Sequence, residues 1–273
     1  MYNFYIMDLK QINNTSITAA NISIGDKIPV GGTMPGAFNL SLEIDKIPDE
    51  LADAFKKMHE NAARINTPAF VKWLHDIGTN IPPDVFAHLF AFSRVFNTMF
   101  PSVAASPDMY IARGAEFSES NTAQLSNLFH KNLFQCAEFA IVAQLYLQTT
   151  GIDSKYVGGE FLSSPTVEFG DSHSWNEIHT ENGGFIFDPA NPMYTNVGIM
   201  PNISRIKLNS KQMVQLRSML MKKRRVAYFP VENILTHHTA YYGYGDGASV
   251  FPELVISAPD INTVHVKKSL MRE

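Results

Sequence analysis

Apolar and polar positions divide the chain into regions of different period. After a break at residues 31–36 (GGTMPG), Leu51, Ala54, Phe55, Met58 and Ala62 recur at helical spacing behind Pro48 and Asp49. Further helical runs are predicted over 68–77 and 84–100, the second ending before Pro101, and residues 101–118 read as loop with a short extended piece. Helix resumes over 122–134. From Cys136 the positions Phe139, Val142, Ala143, Tyr146 and Leu147 keep the helical period until Gly151 supplies a stop. Beyond Gly151 the pattern becomes that of strands, over 155–162, 172–179 and 185–188, with a Thr-Glu-Asn-Gly-Gly turn between the last two. A helix over 209–224 and strands in VAYFPV and ELVIS are expected later, and YYGYGDGAS (241–249) reads as a flexible loop or lid. This order predicts an α+β protein. Residues 1–47 would be a polar leader or short edge strands, 48–118 a helical segment, and 119–273 a core in which a helix packs on an antiparallel sheet.

Composition narrows the class. With 273 residues, 45% hydrophobic, 18% charged, 19 Phe and 12 Met, the chain has the material for a large aromatic core and none of the signature of disorder. A net charge of -4 gives no footprint for nucleic acid. No run approaches the ~20 apolar residues of a membrane span, and the N-terminus lacks the pattern of a conventional secretory signal. A cytoplasmic protein, or one exported by another route, is the expectation. The single cysteine excludes an internal disulfide and leaves Cys136 as a free thiol.

That thiol has chemical potential because of where the periodicity puts it, at the head of a helix. A helix N-terminus and a neighbouring imidazolium both favour thiolate, together bringing a thiol from about 8.5 to roughly 3.5–7.5. His173 can supply the imidazolium if the strands pack against the helix, and Asp188 can orient the ring by accepting from its other nitrogen. A buried, inert cysteine is the competing reading of Cys136 alone.

Cys136 opening a helix, His173 in HSW on a strand 37 residues later, and Asp188 in FDPAN a further 15 on resemble the core of the transglutaminase-like superfamily, a branch of the papain-like cysteine enzymes. Trp175, two residues after His173, and Pro189, directly after Asp188, match the family's habit at those places. The resemblance covers about 136–190. It implies a cysteine amide hydrolase or acyl transferase with no cofactor and no metal. Its nucleophile would be Cys136, its general base and then acid His173, and its orienting residue Asp188. A peptide or protein substrate would pass through a Cys136 thioester by peptide cleavage, glutamine deamidation or transglutamination, activities shared by bacterial effector enzymes. The Cys136 backbone N–H would be one oxyanion donor. The second is open among Gln135, Asn132 and His130, with Asn132 a guess, and Trp175 is read as shielding the His–Asp pair.

Register sets a condition. A two-residue hairpin centred on Asn182-Gly183 would put Asp188 across from Glu177, with His173 about 13 Å further along. Contact is expected to need a turn centred between Thr180 and Glu181, hence a longer, asymmetric turn in which Gly183 or Gly184 absorbs the extra residues. Two other readings stand beside the enzyme: a transglutaminase-like binding module with the site geometry lost, and a metal site built on His173, Glu177 and His179 with His237 and His238 at unknown distance. The cations Lys222–Arg225 suit a helix C-terminus, or an anionic surface or localisation signal.

Overall fold

A computed structural model describes residues 18–19, 21–30, 40–100, 106–162, 171–196, 198–208, 212, 227–244, 254–256 and 264–266. Three short strands come first, β1 (Thr18–Ala19), β2 (Lys27–Pro29) and β3 (Ser41–Glu43), then helices α1 (Asp49–Ile65), α2 (Pro68–Asp76), α3 (Pro83–Met99) and α4 (Pro107–Glu116). Strand β4 (Thr122–Gln124) and helices α5 (Leu125–His130) and α6 (Cys136–Thr150) follow. The chain then runs through β5 (Ser154–Leu162), β6 (Asp171–Thr180), β7 (Gly183–Thr195), β8 (Gly198–Ile206), β9 (Ala227–Asn233), β10 (Thr239–Tyr244), β11 (Leu254–Ile256) and β12 (Val264–Val266). The fold is α+β.

Strands β5 to β9 form an antiparallel meander, and β10 bonds to both β9 and β5. The sheet therefore curls into a closed barrel, in which alternate residues face the lumen and the outside. Val157, Trp175, Ile186, Phe229, Val231 and Tyr242 share the lumenal register and are all buried. Tyr156, Ile178, Phe185, Phe187 and Ile203 face outward and join the core of the helices. Helix α6 lies on this outer face, its buried Asn176 neighbour donating to the Ala140 carbonyl at 2.9 Å. One core thus runs from α1 and α3 through α6 to the barrel wall.

The helices over 49–65, 68–76 and 83–99 agree with the apolar periodicity. Two expectations upstream of Cys136 fail. Residues 107–116 form a helix rather than loop: Ser106 accepts from the Met109 N–H at 3.2 Å and Pro107 occupies the first turn, a start signal that outweighs the weak apolar pattern. The expected helix over 122–134 is instead a strand, a short helix and a turn. Thr122–Gln124 pairs in parallel with β3, and Asn132 adopts φ 55, which ends the helical path before α6 begins.

Downstream, the expected loop or lid at 241–249 starts as strand β10, because Tyr241 and Tyr242 pair with both β5 and β9; positions 245–249 lie outside the described residues. So does the expected helix at 209–224 apart from Gln212, together with Lys222–Arg225. The turn between β6 and β7 is the tight pair Glu181-Asn182, with Thr180 opposite Gly183 at φ +121, not the longer asymmetric turn expected.

Gly159 faces His173 across the β5–β6 pair in the lumen, and a Cβ there would lie 2.5 Å from Trp175 Cη2 and also against the Gly243 carbonyl. Gly159→Ala is expected to destabilise the protein by about 1–3 kcal/mol through overpacking, read as a lower midpoint in chemical denaturation followed by tryptophan fluorescence.

Candidate active site

Two backbone ends converge at the candidate site. One is the N-terminus of α6, where Cys136 is half-buried at the first helical position. The other is the barrel mouth, where His173 and Asp188 approach from adjacent strands. Continuing the β6–β7 register places Asp188 opposite Trp175, two residues from His173 on the same lumenal face. Diagonal neighbours of this kind are about 7–8 Å apart at the backbone, a gap that an imidazole and a carboxylate span together. His173 Nε2 and Asp188 Oδ2 are 2.7 Å apart. Diagonal contact is what the sequence reasoning overlooked in requiring direct opposition.

The Asp188 carboxylate is 1% exposed, and a charge so far from water needs donors. Three converge on Oδ2: His173, Asn191 Nδ2 at 3.1 Å and the Tyr242 hydroxyl at 3.0 Å. Burial works against the charge, but His173, Asn191 and Tyr242 outweigh it and hold the carboxyl below its ordinary value of 3.8. The same contest at His173 ends in favour of the cation: burial lowers it, and the Asp188 carboxylate, with a further contribution from Cys136, raises it from 6.5 to about 10. With Nε2 taken by Asp188, Nδ1 is the ring nitrogen left for Cys136, which is close enough to the ring to favour its charged form.

Trp175 is fully buried, near-parallel to the His173 ring with centroids 6.4 Å apart and edge-on to Tyr242 at 5.0 Å. It walls the His–Asp pair on the lumenal side. Gln135 caps α6: its backbone N–H donates to Glu138 Oε2 at 2.8 Å while the Glu138 backbone N–H returns to its side chain. Gln135 Nε2 is buried and has no acceptor among the described residues. His130, at the end of α5, and Asn132, in the turn before α6, are both exposed. Glu177 is fully buried in the lumen with His179 Nε2 at 3.8 Å from its carboxylate, and among the described residues no three His, Cys, Asp or Glu side chains are grouped to hold a metal ion. His237 pairs instead with Glu232 at 3.1 Å.

Several members of this neighbourhood escaped sequence reasoning. Asn191 stands three residues after Asp188 and its amide could have been paired with that carboxylate by spacing alone. Glu138 follows Gln135 at capping-box spacing. Tyr242 had no signal, since only barrel closure brings β10 beside β7's carboxylate. Arg113 had none either: its guanidinium donates to Glu138 Oε1 at 2.6 Å inside the core.

Residues 108–189 match the family model of the Transglutaminase-like superfamily. No curated protein matches the chain. The matched span begins upstream of Cys136, taking in α4, and ends at Pro189. Over that span the protein is similar to a superfamily whose fold is that of cysteine-dependent enzymes. Among the described residues no helix is long and apolar enough to cross a membrane.

The paired charges make a pH statement. His173, raised from 6.5 to about 10, contributes stability that is fully present below 6.5 and is lost as pH rises through about 10. Asp188, lowered, contributes stability present above 3.8 and lost as pH falls through its folded value. Asp188→Asn keeps an acceptor for Nε2 and removes the charge, so the ring is expected to titrate several units lower. NMR titration of the histidine ring protons checks this: one histidine with alkaline titration in the parent protein should lose it in the variant.

Proposed function

We propose that the protein is a cysteine-dependent amide hydrolase or acyl transferase that acts on a peptide or protein substrate. The observation that carries this reading is a buried His173–Asp188 ion pair reaching the only thiol of the chain at a helix N-terminus. An imidazolium beside sulfur at such a terminus favours thiolate, the attacking form. Cys136 Sγ adds to the amide carbonyl carbon, and the oxyanion is received by the Cys136 backbone N–H and by Gln135 Nε2, a buried donor without another acceptor among the described residues. His173 then gives its proton to the departing nitrogen, which leaves the acyl group on sulfur as a thioester. Water or an amine, deprotonated by His173, attacks the thioester and restores the thiol. Asp188 keeps its negative charge throughout and holds the ring in orientation. Glutamine deamidation, transglutamination and peptide cleavage share these steps and differ in what enters and what leaves.

Iodoacetamide at about pH 6 is expected to alkylate Cys136 of the native protein at least tenfold faster than an unperturbed thiol, which is more than 99% protonated there. Intact mass spectrometry against time reads the rate. Cys136→Ser should fold normally and form no adduct. A native rate equal to that of a free cysteine peptide, or no reaction at all, would overturn the proposed function and leave a transglutaminase-like binding module.

A further inference from the structure

The buried pair of Arg113 and Glu138 is not used by the mechanism above, yet it is bonded to the backbone N–H of Gln135, the residue before the thiol. Glu138 is fully buried at the third position of α6, two residues from Cys136, with one oxygen on the Gln135 N–H and the other on Arg113. Arg113, from the buried side of α4, packs its guanidinium 4.8 Å over the Phe117 ring, and its Nε has no acceptor among the described residues. A pair this deep returns little net stability compared with apolar residues of the same volume, so stability alone does not account for it. A carboxylate at this helix position is useful as a cap, but its charge opposes a second negative charge on the neighbouring sulfur.

We propose that Arg113 is a positioning residue for Cys136: by neutralising Glu138 it lets that carboxylate hold the first turn of α6 without repelling a negative sulfur. The proposal rests on the thiol-enzyme reading. The buried hydroxyl of Tyr156 provides a local witness that these charges share one small region. Burial is the largest cause that pushes its ionisation up, Cys136 and Glu138 add to the rise, and Arg113 opposes it. The titratable and charged groups around this helix start are His173 with Asp188 behind it from the barrel, Tyr156 from β5, Glu138 on the Gln135 N–H and Arg113 from α4.

The test is the pH dependence of Cys136 alkylation by iodoacetamide in the full chain and two variants, with circular dichroism as the check on folding. Arg113→Met leaves Glu138 uncompensated and should move the midpoint of the pH–rate profile up by about one unit, slowing alkylation about tenfold at about pH 6 and leaving it nearly unchanged at about pH 9. Glu138→Gln keeps an acceptor for the Gln135 N–H and the side-chain volume but leaves Arg113 positive, and should move the midpoint down by a similar amount. Opposite shifts are the signature. A purely structural pair would shift neither midpoint, or slow both variants equally at every pH, and either result overturns the positioning role. Should Arg113→Met fail to fold, the acid-ward shift of Glu138→Gln carries the same test alone. A parent profile centred near the free-thiol value of about 8.5 instead overturns the enzyme reading and this proposal with it.

Discussion

A carboxylate buried in the mouth of a closed barrel is the constraint on which the candidate site depends. Asp188 has almost no access to water, and the transfer of an isolated charge into such a place costs far more than any fold of this size has to spare. It stays charged because β6, β7 and β10 each bring a donor to the same oxygen. Barrel closure completes this network: without β10 bridging β9 and β5, Tyr242 would not reach the carboxylate, and without the carboxylate the His173 ring would be a buried cation lacking its main partner.

The helix on the outer wall completes the arrangement from the other side. Asn176 ties the barrel wall to the α6 backbone, and the capping box with Glu138 fixes where that helix begins. The sulfur is consequently placed by main-chain geometry, and the ring by a lumenal network. Neither depends on a loop for its position, which is how a site is kept in register on a fold. Upstream, α1 and α3 share the same core as α6, so the helical part is packed onto the element that carries the thiol.

Much of the plan was legible along the chain. Apolar periodicity located α1, α2, α3 and α6, alternation located β5, β6 and the start of β7, and Gly151 ended α6 in the left-handed conformation expected of a stop. Their order and spacing, through the resemblance to the transglutaminase-like superfamily, brought Cys136, His173 and Asp188 forward as a group. The failures came where competing local signals were short. Ser106-Pro107 started a helix that few apolar residues advertise, and Thr122–Gln124 was taken out of a helical run by pairing with β3, a partner about eighty positions away.

By itself, then, the sequence determined the periods of the elements, the absence of a disulfide, and which thiol, imidazole and carboxylate were available. These are local properties, set by residue type and by separations of a few positions. Tertiary structure decided the register that makes His173 and Asp188 diagonal rather than opposed neighbours, the closure that delivers Tyr242, and the burial that joins Arg113 to Glu138. Those depend on contacts between residues far apart in the chain, and on the loss of water around charged groups. Spacing along a single chain carries neither quantity.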